Sequence, residues 1–366
     1  MTIFFLVVFG SYFCFVLFML YGWELSLDKS LIKSGSCKSI AVIIPIRNEE
    51  NSIKHLVKSL SEIQYPKEKV EFIFVNDHST DGSYEILNSI NLENHKILDL
   101  EQNQSGKKAA ITAGIEATTS EIIVTTDADC THHPNWLNTF NSIFFDLQVN
   151  MVVGTVAISV GNSIFGKMQA IELVSLIGSG ISLLHWKIPA MANGANLAFR
   201  RSIFLDVKGY EGNEDIPSGD DEYLLRKVAN YSPSGVIFNH NPDSVVCTKP
   251  LGSVRTFFQQ RIRWAGKWKH QTNSKTKWIA FLVFVYQCTF ILALVFYFIY
   301  GINVVLILLL SKAVIEAIFL FRVGQFLKVS VGLIPFALLQ IFYPIYVVIT
   351  AIGSLFLSFE WKDRKY

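Results

Sequence analysis

The sequence predicts an α/β domain with a mostly parallel sheet, set between transmembrane α-helices at both ends. Three observations predict it. From Ile40 to Thr126, short apolar runs alternate with segments whose apolar residues recur at helical spacing, the pattern of strand–helix–strand units. Long apolar runs flank that stretch: Ile3 to Tyr21, Trp278 to Tyr300, Ile302 to Phe321 and Val331 to Phe359. The fourth short run ends in Asp127-Ala-Asp129, two carboxylates at the end of a strand, where open α/β sheets bind ligands.

The flanking runs set the frame. Of 366 residues 51% are hydrophobic, and the mean hydropathy of +0.36 is too high for an ordinary soluble enzyme. Stretches of about 20 apolar residues are what a helix needs to cross the bilayer core. The expected plan is an amino-terminal anchor over 1–24, a globular domain over 39–250, an interfacial amphipathic segment over 251–277 and a membrane bundle of about three spans over 278–360. The first run has no basic leader or small-residue cleavage site, which favours an uncleaved anchor over a signal peptide. Lys29, Lys33 and Lys38, then Lys267, Lys269, Lys275 and Lys277, flank the domain and place it in the cytoplasm by the positive-inside rule. Arg322 and Lys328 favour an inside loop, whereas four spans leave Lys362, Arg364 and Lys365 outside, so one group breaks the rule. Five cysteines without paired spacing fit a reduced compartment. The net charge of +2 does not point to a partner, because the basic residues gather at membrane boundaries.

Along the domain, Ile40 to Ile44 reads as a strand closed by Pro45. Ile53, Leu56, Val57 and Leu60 give a helix face, with Glu49 and Glu50 in its first turn. Val70 to Val75 is the next strand, ending in Asn76-Asp-His-Ser-Thr-Asp-Gly82 with Ser79 or Thr80 as cap. Ile86, Leu87 and Ile90 give a second helix, Ile97 to Leu100 a third strand, Ala109 to Ala117 a helix and Ile122 to Thr126 a fourth strand. Neither the dinucleotide fingerprint nor the phosphate loop is present, so polar residues at strand ends must do the binding. Phe165 to Trp186 is apolar but carries Lys167 and Glu172, and reads as an acceptor-side helix near the membrane surface.

Taken singly, these polar residues also have plain readings: two solvated turn carboxylates at Asp127 and Asp129, a solvated helix start at Lys107 and Lys108, an acidic helix start at Asp220 and Asp221. Their order along the chain carries more. Val42-Ile-Ile-Pro-Ile-Arg-Asn-Glu-Glu50, Val75-Asn-Asp-His-Ser-Thr-Asp-Gly-Ser83, Gly106-Lys-Lys-Ala-Ala-Ile-Thr-Ala-Gly-Ile115, Asp127-Ala-Asp129, Asn193-Gly-Ala-Asn-Leu-Ala-Phe-Arg-Arg201, Gly219-Asp-Asp-Glu-Tyr-Leu224 and Gln260-Arg-Ile-Arg-Trp264 follow one another from about Ile40 to Trp264. The series resembles the membrane-bound branch of the family 2 inverting glycosyltransferases of GT-A fold, which includes ceramide glucosyltransferases, cellulose synthases and hyaluronan synthases. Thr112 stands where that family usually has Asn.

The resemblance implies a nucleotide-diphospho-sugar transferase. Asp129 would coordinate a divalent metal, Mg²⁺ or Mn²⁺, with Asp127 on metal or donor ribose. Asp77 would accept from uracil N3–H, with Glu49 and Pro45 lining the base and ribose site. Lys107 would neutralise diphosphate charge. Asp221 would be the general base, with Asp220 as fallback. Gln260, Arg263 and Trp264 match the family's Gln-x-x-Arg-Trp, Arg263 suiting the diphosphate and Trp264 the acceptor. The aromatic and basic residues around them read as an interfacial helix rather than a nucleic-acid site. The expected partners are a UDP-sugar, a lipid or glycan acceptor and the bilayer. Transfer to a lipid, processive polysaccharide synthesis and non-catalytic nucleotide-sugar binding all stand as readings, the first favoured by the small number of spans.

Overall fold

The computed structural model describes residues 2–27, 35–214, 216, 218–267, 273–356, 360–361 and 364–365. Lys29, Lys33, Lys269 and Lys362, used above for orientation, lie outside them. In chain order come α1 (Thr2–Ser26), β1 (Ile40–Ile46), α2 (Ile53–Ser61), β2 (Val70–Asn76), α3 (Ser83–Asn88), β3 (His95–Asp99), α4 (Lys107–Glu116) and β4 (Ile122–Thr125). Then follow α5 (Trp136–Ile143), β5 (Met151–Val153), β6 (Val156–Ile158), α6 (Ile164–His185), β7 (Leu197–Arg200), α7 (Arg201–Asp206), α8 (Asp220–Tyr231), β8 (Val236–Phe238) and β9 (Val246–Thr248). The helices α9 (Val254–Gly266), α10 (Ser274–Tyr300), α11 (Asn303–Leu327) and α12 (Leu333–Phe356) follow, and Glu360–Trp361 pairs antiparallel with Arg364–Lys365. Two compact units result: Ser26–Ala157 with Pro189–Lys249, and Met1–Leu25 with Ile158–Ile188 and Pro250–Tyr366.

The first unit is an α/β unit. Its seven-stranded sheet has the order β3-β2-β1-β4-β7-β5-β8. β3, β2, β1 and β4 run parallel, β7 is antiparallel to β4 and β5, and β8 is parallel to β5. β1, β2 and β4 are continuous apolar runs because both faces of a parallel sheet are covered. Ile40, Val42, Ile44 and Ile46 of β1 pack with Ile53, Leu56 and Leu60 of α2, while Trp136, Phe140 and Phe144 fill the core beside them.

Three local expectations are corrected. β1 does not stop at Pro45 but runs to Ile46. The Ile43 carbonyl accepts from Thr126 N–H on the β4 side. Two residues on, the missing Pro45 N–H faces that same side, where the β1–β4 ladder has already ended at Ile43–Thr125. On the other side the β2 ladder continues to Ile46–Asn76. Glu49 and Glu50 precede α2, whose N-cap is Ser52, and so are not in its first turn. α3 is capped by Gly82 rather than Ser79 or Thr80; those two hydroxyl residues are engaged elsewhere, as described below.

The second unit is helical. Among the described residues, five helices are long and apolar enough to cross a membrane: α1, α6, α10, α11 and α12. α6 was expected only at the surface because of its polar residues. Glu172 is nevertheless partnered inside the unit: it pairs with Arg261 of α9 and accepts from Tyr346 OH of α12 at 2.6 Å. Of the most apolar window of α6, 67% is buried, against 22–28% for the other four. The apolar run after Val331 forms one helix, α12, which begins at Leu333 and carries Pro344 within it. Pro335 falls in its first turn, where a helix needs no N–H donor. Lys312 and Glu316 form an ion pair at 2.9 Å, and Gln340 of α12 bonds both, at 2.8 Å each.

Candidate functional site

The site lies at the carboxyl edge of β1, β2 and β4. The loops after β1 and β2 are laced together. Asn48 N–H donates to Ser79 Oγ at 3.2 Å, and Thr80 N–H donates to Asn48 Oδ1 at 2.8 Å. Glu49 N–H donates to Ser83 Oγ at 2.7 Å, and Gly82 N–H to Glu50 Oε2 at 3.0 Å. Arg47 closes the set by donating to the Asp77 and His78 carbonyls at 2.8 and 3.0 Å. Short polar side chains at strand ends thus satisfy the backbone groups that no ladder reaches. Asp77 is 3% exposed, and its Oδ2 accepts from Gly106 N–H at 2.9 Å. Gly106 caps α4 at φ +91°, a conformation that suits glycine alone. Pro45, Glu49 and Asp77 therefore lie at adjacent strand ends, and Asp77 is bonded to the start of the helix that carries Lys107.

The Lys107 ammonium bridges two elements distant in sequence: Asp127 Oδ1 after β4 at 2.6 Å and Asp220 Oδ2 at the start of α8 at 3.5 Å. Burial works against its charge, but Asp127, then Asp220, outweigh that and hold its pKa above the usual lysine range. Asp221 Oδ2 accepts from Gly194 N–H at 3.0 Å and Oδ1 from Glu222 N–H at 2.8 Å. Gly194 is fixed in turn by its carbonyl, which accepts from Thr125 Oγ1 at 2.8 Å. A Cβ on Gly194 would stand 2.6 Å from Asp220 Oδ2 and 2.9 Å from Lys107 Nζ, so any side chain there would push these two groups aside. The structure thus brings Lys107, Asp127, Asp220 and Asp221 together around Gly194. Gly194 and Thr125 had no assigned role in the sequence; the Asn193-Gly-Ala-Asn segment was the available signal.

Asp129 is exposed and differs from Asp127 in its partners. Its Oδ2 accepts from Thr248 Oγ1 of β9 at 3.0 Å, and the buried Cys130 thiol reaches Oδ1 at 3.6 Å. Burial first, then Asp129 and Asp127, push that thiol's pKa up. The turn is held from behind by His132. Ser59 Oγ donates to the Leu56 carbonyl at 2.9 Å, so it accepts from His132 Nδ1–H at 3.2 Å. That assignment leaves Nε2 as acceptor for Thr126 Oγ1–H at 2.8 Å. Burial lowers the His132 pKa to about 3, and the ring is neutral.

Among the described residues no group of three His, Cys, Asp or Glu side chains forms a metal cluster. Two carboxylates still suit Mg²⁺ or Mn²⁺, which commonly take one or two protein carboxylates and complete their shells with phosphate oxygens and water. Asp129 fits best, being exposed and bonded only to neutral groups, whereas Asp127 already holds an ammonium.

Gln260, Arg263 and Trp264 lie on α9, in the helical unit. There the buried Arg261 donates to Glu172 Oε1 at 3.0 Å, with its guanidinium between the Phe257 ring at 4.4 Å and the Trp264 ring at 4.3 Å. Arg261 also donates to Gln260 Oε1. One face of Trp264 is therefore taken by Arg261.

Comparison with known proteins decides the class. The profile described as Glycosyl transferase family 2 matches residues 41–207. The chain carries a family 2 glycosyltransferase domain. The matched segment of that domain includes Pro45, Glu49, Asp77, Lys107, Asp127 and Asp129, and ends before Asp220, Asp221 and α9. Glycosyltransferase AglE of Haloferax volcanii is 29% identical over 226 residues, covering 59% of this chain and 69% of that protein. A poly-beta-1,6-N-acetyl-D-glucosamine synthase of Staphylococcus aureus is 27% identical over 243 residues, covering 64% of this chain and 55% of that protein. The probable glycosyltransferase YdaM of Bacillus subtilis is 26% identical, covering 62% and 54%. The match thus spans just over half the length of the last two. Among solved structures, the mannosyltransferase PcManGT of Pyrobaculum calidifontis, determined with GDP-Man and Mn²⁺, aligns with a TM-score of 0.62 at 17% identity over 97% of this chain and 99% of its own. That likeness establishes the GT-A fold, and the family 2 match locates a glycosyltransferase domain in residues 41–207.

Proposed function

We propose that the chain transfers a sugar from a UDP-sugar to a membrane lipid or lipid-linked acceptor, with inversion at the anomeric carbon. One observation carries the reading most: Lys107 joins Asp127 and Asp220, so groups from α4, β4 and α8 converge at one sheet edge. A nucleoside diphosphate at that edge would meet Asp77, Glu49 and Pro45 on its base and ribose side. Its diphosphate would draw the Lys107 ammonium away from the carboxylates. Asp129, with Asp127 beside it, would hold Mg²⁺ or Mn²⁺, which neutralises charge on the departing diphosphate. Asp221 takes the proton from the acceptor hydroxyl, whose oxygen bonds to the anomeric carbon as the bond to the diphosphate oxygen breaks. Asp220, bound to Lys107, is the less suited base. Gln260, Arg263 and Trp264 are assigned to the diphosphate and acceptor.

The five apolar helices support a membrane acceptor, and the basic flanks support a cytoplasmic α/β unit. The N-acetylglucosamine polymer synthase among the relatives favours processive synthesis as the second reading. The test uses full-length protein in lipid vesicles with labelled UDP-sugars, GDP-mannose and Mn²⁺ or Mg²⁺. A lipid-extractable labelled product with UDP release is expected. A high-molecular-weight polymer would favour the second reading, GDP-mannose turnover would overturn the uridine assignment, and failure of every donor to release nucleotide would sink the proposal. Asp129→Ala should abolish the metal dependence of donor binding; retention would remove Asp129 from the metal.

A further inference from the structure

The residue beside Lys107 is not a solvated partner of it. Lys108 is 8% exposed, and its ammonium donates to the main-chain carbonyls of Asn213 at 2.5 Å and Ile216 at 2.9 Å. These belong to the segment between α7 and α8. Lys208, Gly209, Gly212 and Gly219 all have positive φ there, at 56°, 41°, 81° and 83°. A segment turned so often has no ladder for its carbonyls, and carbonyls left unpaired inside a protein are costly. A second ammonium serves the other half: Lys227 of α8 donates to Gly209 O at 2.9 Å and Glu211 O at 2.8 Å, with Lys208 O at 3.4 Å. The segment then runs through Gly219 straight into Asp220 and Asp221.

We infer that Lys108 is a positioning residue for Asp220 and Asp221, clamping the segment that leads into α8 onto the helix that presents Lys107. Adjacent residues in the first turn of α4 divide the task. Lys107 takes the Asp220 carboxylate, and Lys108 takes the carbonyls of the approach to it. Lys108 also sits 4.7 Å from the centre of the Tyr223 ring, two residues beyond Asp221, which fixes the first turn of α8 from the other side. The clamp sets where the base stands relative to the donor without touching either substrate. A misplacement of about 1 Å can reduce turnover on the order of 10²-fold.

The inference rests on the transferase reading for its kinetic arm but not for its structural arm. Lys108→Met keeps the length and apolar stem of the side chain and removes the donors; Lys108→Arg keeps donors and charge. In full-length protein, hydrogen exchange over 208–219 should rise in Lys108→Met and stay near wild type in Lys108→Arg. With a turned-over UDP-sugar, kcat of Lys108→Met should fall about tenfold or more with donor KM within about threefold, and Lys108→Arg should recover most of it. Unchanged exchange in Lys108→Met overturns the clamp even where no donor is turned over. Turnover within twofold of wild type, or equal rises in KM and falls in kcat, overturns the positioning role. If Lys108→Met does not fold, Lys108→Gln and Lys108→Arg carry the same comparison. A failure of wild-type turnover counts against the proposed function alone.

Discussion

Lys107 Nζ lies 2.6 Å from Asp127 Oδ1, and the same ammonium reaches Asp220 Oδ2 at 3.5 Å, so one cation joins a strand end to a helix start 93 residues later (220 − 127). This bridge sets two of the expectations below; Asp221, His132 and the Glu172–Arg261 pair of the helical unit set the others.

Removing the cation should be felt in both stability and donor binding. Lys107→Met leaves two carboxylates facing each other without their counter-charge, and should cost about 1–3 kcal/mol, read as a fall in Tm. Donor KM should rise more than kcat falls. The bridge should be insensitive to pH over the working range. The folded-state pKa of Lys107 is raised, so its contribution is fully present below the unfolded value of about 10.4 and is lost only as pH climbs through the folded one. A Tm difference between wild type and Lys107→Met that changed between pH 6 and 9 would contradict this.

Asp221→Asn should reduce kcat by about 10²–10⁴-fold while UDP affinity stays within a few-fold. The amide oxygen can still accept from Gly194 or Glu222 N–H, but an NH₂ cannot replace the second acceptor. The variant should fold, and calorimetric titration with UDP separates lost binding from lost chemistry. Near-normal turnover would move the base to another residue.

His132 gives a prediction of opposite sign to that for Lys107. Its folded pKa of about 3 lies below the unfolded value near 6.5, so below pH 6.5 the unfolded chain binds the proton that the folded one refuses. Stability should therefore fall with acid between those values, by about 1.4 kcal/mol per unit at most from this group. His132→Gln should lose that component. Parallel Tm–pH curves for the two proteins between pH 4 and 6.5 would refute a neutral buried ring.

The Glu172–Arg261 pair tests how α9 is held within the helical unit. Arg261→Met or Glu172→Met alone leaves a buried charge unpaired and should cost about 3–5 kcal/mol, whereas the double substitution should cost less than either. A double-mutant cycle on the detergent-solubilised protein reads this directly. Additive losses would show that the pair acts as two independent contacts.

Much of the α/β unit was legible in the sequence because buried parallel strands leave continuous apolar runs. β1, β2 and β4 fall where Ile40–Ile44, Val70–Val75 and Ile122–Thr126 pointed. Pro45 misled as a strand end, because a missing N–H matters only on the side where a ladder continues. The three-residue strands β5, β6, β8 and β9 and the antiparallel β7 carry too little pattern of their own; neighbours distant in sequence define them. At the site, the acidic positions and Lys107 were legible as residue types in a known order. Their partners were not. Thr248 reaches Asp129 across 119 residues, Gly194 reaches Asp221 across 27, and Lys108 looks like any lysine until the carbonyls of Asn213 and Ile216 close on it.

The lacing between the loops after β1 and β2 has a thermodynamic consequence. Asn48, Glu49 and Glu50 on one side and Ser79, Thr80, Gly82 and Ser83 on the other already occupy each other's donors and acceptors. A nucleotide arriving there would have little backbone to freeze. Its association should carry a small ordering entropy and a fast on-rate, so any slow step in turnover belongs elsewhere along the chain.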